Sequence, residues 1–254
     1  MVTPTLRQGV DDLALCLVFF TRLPLPHFDF RSRTLAGAIW AAPVAGAVIA
    51  LIASIVYAVA VKFGLSAGSA AALALASSML ATGCLHEDGL SDVADGFGGG
   101  QAREKKLEIM RDIRIGAYGA CTLGISLLIR WTALSSFDSA AHVFCALIAA
   151  HMASRGLFGL FMHRLSPARA DGLAAGAGTV SAQTAIVGAA LGSAALLALG
   201  ALGALSALIL LGLVFIAFAA LCARQIGGHT GDTVGALQQL GEIAVLLVAS
   251  ATLS

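Results

Sequence analysis

The 254-residue chain is 59% hydrophobic and only 11% charged, with a mean hydropathy of +0.92. Soluble domains carry about 25% charged residues, so this chain lacks the polar surface to clothe a water-facing globule and reads as an all-α, polytopic membrane protein. A net charge of +1 gives no reason to expect a nucleic-acid partner.

The first twelve residues, MVTPTLRQGVDD, show no charged-then-apolar pattern of a cleavable signal, so insertion is expected from internal segments. The apolar run 13–20 is too short to cross and ends at Arg22 and the helix-breaking LPLP; an interfacial helix is expected there. Seven spans of roughly 20 residues are expected near 36–61, 66–85, 116–136, 140–162, 182–202, 203–223 and 234–253, forming one membrane domain over the whole chain. With 29 glycines and few aromatics, they suit a closely packed bundle. The five cysteines are scattered through apolar stretches without a CxxC pattern and read as small buried hydrophobes.

Seven spans place the loops 21–35, 86–115, 163–181 and 224–233 on one face. That face carries Arg22, Arg31, Arg33, Arg103, Lys105, Lys106, Arg111, Arg114, Arg164, Arg169 and Arg224, and the opposite loops carry only Lys62. The positive-inside bias puts the first face in the cytoplasm. Most acids fall there too, so chemistry is expected at the cytoplasmic surface of the membrane.

HEDGLSDVADGFGGG, at 86–100, is the acidic block. Asp88, Asp92 and Asp95 stand at i, i+4 and i+7 and share one helix face, with Glu87 about 100° away and peripheral. Carboxylates crowded at a membrane rim need a cation, and oxygen-only ligands favour a hard ion such as Mg²⁺ or Mn²⁺. A solvated acidic helix end paired with nearby Arg and Lys is the plainer alternative. Gly96 and Gly98 to Gly100 are expected to end this helix, and a second helix is expected from Arg103 to Ile115. On it Asp112 could complete the metal shell, while Arg111 and Arg114 are placed to meet phosphate. Metal beside arginine suggests transfer of a phosphate-linked group, with a carboxylate as base.

Further along, His151 and Arg155 lie one turn apart within a span, and an intramembrane charge is a functional candidate by default. His86 adjoins the acids, as a phosphate contact or a helix-end residue. Arg130 reads as a structural residue that either pairs with an acid on another helix or reaches outward. The GGHTGD turn offers His229 and Asp232. Asp232 or Thr233 caps the last helix, or that helix end receives phosphate. Gln238 and Glu242 follow on one face, within the span.

Taken together, HEDGLSDVADGFGGG followed by LEIMRDIRIGAYG resembles the cobalamin synthase family, the adenosylcobinamide-GDP ribazoletransferases. FFTRLPLP at 19–26 and GGHTGDTVGALQQLGE at 227–242 resemble the family's terminal signatures. Ser154-Arg155 and ARADGL at 168–173 also agree in kind and order. The likeness thus covers essentially the whole chain, with Glu87 and Gln239 as departures. It implies that adenosylcobinamide-GDP and α-ribazole, or its 5′-phosphate, are joined with release of GMP, with Mg²⁺ required. It also implies Asp88, Asp92, Asp95 and Asp112 as catalytic and metal-binding residues. Arg22, His86, Arg111, Arg114, Arg155, His229, Asp232 and Glu242 become the substrate contacts. A CDP-alcohol phosphotransferase of phospholipid synthesis is the alternative, although its DG-x-x-AR spacing is not met. A cation transporter is the alternative of another class, disfavoured because the acids gather at one rim and not at mid-membrane. The bilayer is the expected environment, and a homo-oligomer is compatible with the sequence.

Overall fold

A computed structural model describes residues 6–26, 28, 33–171 and 176–253, and these are helical apart from connections and one isolated bridge. His27, Arg31 and the end of the ARADGL block lie outside the described residues. Helix α1 (Leu6–Phe20) precedes a short α2 (Leu35–Ala38) and a 3₁₀ turn that leads into α3 (Ala42–Lys62). Then come α4 (Ala67–Thr82), α5 (Leu85–Gly99), α6 (Arg103–Ile109), α7 (Ala117–Ser135) and α8 (Ala140–Arg164). Helices α9 (Ala182–Ala195), α10 (Gly200–Ile226) and α11 (Gly231–Thr252) complete the chain.

Five stretches among the described residues are long and apolar enough to cross a membrane, or six if α4 and α5 count as one bent span. The expected seven is therefore approximate. Two breaks account for the difference. The stretch from Ala182 to Ile226 is continuous in hydropathy, but a 3₁₀ turn and Gly200, at φ +74°, divide it into α9 and α10. These arms pack on different partners, α9 on α8 and α10 on α11. The other break is an 89° bend between α4 and α5, where Gly83 and Cys84 both take the left-handed conformation. With 15 residues, α1 is too short to cross, as expected.

Small residues bring the helices together. A side chain on Gly192 would meet the Met152 carbonyl at 2.8 Å, and one on Gly159 would meet Ala185 at 2.9 Å, so α8 and α9 touch backbone to backbone. Where lipid offers no hydrophobic drive between helices, such contact and interhelical hydrogen bonds carry the packing. The core where α3, α4 and α8 meet is accordingly rich in alanine, with Ala50, Ala53, Ala70, Ala74, Ala146 and Ala150 all buried.

Two helix boundaries differ from the expectation. Helix α5 runs on through Gly96 and Gly98 and ends only at Gly99, with Gly100 as its cap. The glycines serve packing: a side chain at Gly96 would collide with Met110, and one at Gly98 would meet the Tyr118 ring at 2.7 Å. Helix α6 stops at Ile109, and residues 110–116 form an irregular loop. The guanidinium of Arg103 donates to the carbonyls of Ile226 (2.8 Å) and Ala168, and the Lys106 ammonium to Gln225, so α6 is pinned to the end of α10.

Candidate active site

Three pieces of chain converge beside α5. The loop at 165–168 pairs with the GGHTG turn through a parallel bridge, Ala168 N–H to His229 O at 2.8 Å and His229 N–H to Ser166 O at 2.9 Å. That bridge fixes the start of α11. Its cap is Thr230, in a reciprocal box with Thr233, and not Asp232 or Thr233 as expected. Asp232 is thereby left to face α5. It accepts from the Thr230 hydroxyl at 3.1 Å and lies 3.5 Å from the Arg169 guanidinium. A side chain at Gly89 would sit 2.7 Å from the Asp232 carbonyl, so α5 and α11 meet here with no atom to spare. Gly89→Ala should force them apart. Overpacking of this kind costs about 1–3 kcal/mol, and a fall in the melting temperature of the purified protein, with activity lost faster than stability, is the expected result.

Two cavities flank this contact. A polar one of about 330 Å³ is lined by Asp88, Ser91, Asp92, Arg111, Asp112 and Arg114. An apolar one of about 220 Å³ is walled by residues that include Phe19, Phe20, His86, Met162 and Val234. Asp88 lines both, and Asp232 is among the residues that line the apolar one. Half-buried Asp92 lies within the electrostatic reach of Asp88, Asp232, Asp95 and the Arg169 cation.

The acids expected to act together are thus sorted. Asp95 is engaged by backbone: it accepts from Gly116 N–H at 2.7 Å and Gly119 N–H at 2.9 Å, capping the start of α7 from a neighbouring helix. Asp112 holds Arg114 through two contacts of 3.0 and 2.6 Å at the surface. Those hydrogen bonds hold its carboxyl down at about 2, so it stays ionised at neutral pH. Arg111 reaches Asp171 at 2.5 Å. Among the described residues no three His, Cys, Asp or Glu stand close enough to form a closed metal cage. Asp88 and Asp92 remain as carboxylates that line the polar cavity with no ion-pair partner among the described residues. That donor set suits magnesium, which is usually held by one or two carboxylates together with substrate phosphates and water.

The remaining expected contacts fall in three places. Arg22 is exposed against Gly83 at the α4–α5 bend and lines neither of these cavities. His229 is buried beside Phe161, where desolvation lowers its pKa and favours the neutral ring. Arg155 and Glu242 lie behind the site in a buried polar network. Arg130 Nη1 donates to Glu87 at 3.0 Å and Glu242 at 3.2 Å, and His151 Nδ1 lies 3.3 Å from Glu242. Arg155 Nη1 meets His151 Nδ1 at 3.0 Å, and Gln238 donates to Glu242 at 2.6 Å and to Ser154 at 3.2 Å. Two arginines balance two glutamates there. Glu87 does leave the Asp88 face, but it is a buried partner of Arg130 and not a peripheral group. The signal was available: Arg130 and Glu242 are mid-span charges that need partners. Arg169 was missed because nothing in its loop shows that it returns to Asp232.

A bundle of long apolar helices, with carboxylates and arginines gathered beside α5, has the character of a multi-pass membrane protein. Comparison with known families makes this specific: residues 12–250 match the family described as cobalamin-5-phosphate synthase, and the chain belongs to that family and is an enzyme. It is 67% identical to the adenosylcobinamide-GDP ribazoletransferase of Mesorhizobium japonicum over 98% of this chain and 96% of that protein. Proteins of the same name from Bradyrhizobium diazoefficiens and Sinorhizobium medicae are 48% and 42% identical, over 98% and 95% of this chain and 96% of each of those proteins. No solved structure matches the chain.

Proposed function

We propose that the enzyme joins adenosylcobinamide-GDP to α-ribazole, or to α-ribazole 5′-phosphate, with release of GMP, in the nucleotide loop assembly of cobalamin. The observation that carries the reading is Asp88, a carboxylate on the wall shared by an apolar and a polar cavity. An acceptor and a phosphate donor can meet across it. The 3′-hydroxyl of the ribazole attacks the phosphorus nearer the cobinamide. A new O–P bond forms, the bond from that phosphorus to the bridging oxygen breaks, and its electron pair leaves with GMP. The hydroxyl proton passes to Asp88 or Asp92, both of which face the polar cavity. Arg111 and Arg114, exposed at its rim, exchange their carboxylate partners for diphosphate oxygens. Magnesium held by Asp88 and Asp92 would neutralise charge on the diphosphate. Asp95 holds the start of α7 in place, and the buried Arg130 network fixes α5 against α7 and α11.

The positive-inside bias of the arginine-rich loops supports a rim that faces the cytoplasm from the bacterial inner membrane. The test is a side-by-side assay of two donors with purified protein. GMP should form only when adenosylcobinamide-GDP and α-ribazole, or its phosphate, are both present. CDP-diacylglycerol with a lipid alcohol should give no CMP. CMP release in place of GMP release would assign the chain to phospholipid-type chemistry instead.

A further inference from the structure

Helix α1 is too short to cross the membrane, yet it walls the apolar cavity. Phe19 and Phe20, in its last turn, line that cavity, as do Leu35 and Ile39 on the segment that follows. Asp12, Cys16, Phe19 and Phe20 stand at i, i+4, i+7 and i+8, so they share one face of α1. The rotation of the helix that seats Asp12 therefore also aims the two phenyl rings.

Asp12 is seated firmly. It is 1% exposed, and it accepts from Arg33 Nε at 2.6 Å, from Arg33 Nη2 at 2.5 Å and from Trp40 Nε1 at 2.9 Å. A carboxylate so buried is costly unless it is paired, and the flat guanidinium fork fixes its geometry as well as its charge. One turn on, Cys16 donates from Sγ to the Ala38 carbonyl at 3.2 Å. Both contacts tie α1 to the stretch 33–41, the one that carries Leu35 and Ile39. The transfer chemistry makes no use of this group, because the polar cavity is lined from α5, the 110–116 loop and α7.

We infer that the Asp12–Arg33–Trp40 clasp is a positioning device for the substrate site. It holds α1 and the stretch 33–41 in one register and so keeps the apolar cavity in shape for the substrate group that enters it. The inference rests on the transferase reading above, in which the apolar and polar cavities serve one reaction. Without the clasp, α1 rolls to hydrate Asp12 and carries Phe19 and Phe20 off the wall. The cavity is then formed only part of the time, and the apparent affinity falls by that fraction. The transfer step, beside α5, is left as it was.

The chain carries its own reporters. Cys16, between the clasp and Phe20, and Cys222, on α10, are both 0% exposed. Burial, and then the neighbouring Asp12 charge, push the Cys16 thiol up to about 12. Arg33→Gln keeps that charge and removes the fork, so faster labelling of Cys16 reports access. Purified full-length wild type, Arg33→Gln, Arg33→Lys and Trp40→Phe are treated with a maleimide, and labelling is read at each cysteine by peptide mass. KM for each substrate and kcat for GMP release are measured on the same preparations. In Arg33→Gln, Cys16 should label at least about tenfold faster, with Cys222 unchanged. The KM of one substrate should rise about tenfold, with the other KM and kcat within about twofold. Arg33→Lys, which keeps the cation but not the fork, should fall between Arg33→Gln and wild type. Trp40→Phe, which removes one donor and keeps an aromatic ring, should show the same pattern at smaller size. Equal gains at Cys16 and Cys222 would overturn the inference, because they mark a general loss of stability. So would a faster Cys16 with both KM values unchanged, or a fall in kcat with both KM values unchanged. If the wild type releases no GMP from these substrates, the transferase reading fails, and the labelling of Cys16 against Cys222 still decides the clasp.

Discussion

Asp88→Asn is expected to lower kcat for GMP release by about 10²–10⁴-fold, the range for loss of a positioned general base or charge stabiliser, and to leave the protein as stable as before or more so. The substitution keeps the size of the side chain and removes one charge from a group where Asp88, Asp92 and Asp232 repel one another. Relief of that repulsion favours the folded state, so lost activity with an equal or higher melting temperature marks a functional role and not a structural one. Asp92→Asn should behave alike. Asp95→Asn should separate from both: its carboxylate accepts two backbone N–H groups at the start of α7, and an amide can accept only through one oxygen. It should lose stability along with activity. Thermal unfolding of each purified variant, measured beside its kcat, checks all three. Near wild-type turnover in both Asp88→Asn and Asp92→Asn would remove the assignment.

Arg130→Met carries the largest expected loss of stability, about 3–5 kcal/mol, the cost of breaking a buried ion pair from one side. Arg130 is 1% exposed and, among the described residues, is the one guanidinium within salt-bridge distance of both Glu87 and Glu242. Without it two buried carboxylates face Arg155 alone, which reaches Glu242 only through His151. Glu87→Gln in the same chain restores the balance of charge and should recover most of the loss. The measurement is the fraction of protein that stays monodisperse after heating, for the single and double variants. An Arg130→Met protein that melts with the wild type would show that the network contributes nothing net.

Much of this was legible in the amino-acid order. Hydropathy gives the helical bundle because each crossing segment must satisfy its backbone internally. The spacing of Asp88 and Asp92 put them on one face, and both line the polar cavity. The Arg130 pairing was also open to reading as one of two alternatives. What escaped were contacts set by backbone geometry and by distant loops. Hydropathy does not register the bend at Gly83-Cys84 or the turn at Gly200, because small residues read alike in straight and broken helices. The seat of Asp95 depends on Gly116 and Gly119, where any side chain would collide with its carboxylate. The nearness of Arg169 to Asp232 follows from a bridge at Pro167 and His229, a pairing with no local signature. The demotion of Glu87 came from its angle around the helix. That angle is right, and it turns Glu87 inward to Arg130.

The central claim is that the Asp88–Asp92 rim performs magnesium-assisted transfer, and metal removal tests it most directly. Purified enzyme mixed with adenosylcobinamide-GDP and α-ribazole is assayed for GMP after treatment with a chelator and again after Mg²⁺ is restored, beside Asp88→Asn treated the same way. The account predicts that the chelator abolishes GMP release, that Mg²⁺ restores it in the wild type, and that Asp88→Asn stays at least about 10²-fold below wild type at every Mg²⁺ level. GMP release that persists in excess chelator, or an Asp88→Asn variant that Mg²⁺ restores to wild-type turnover, would contradict it.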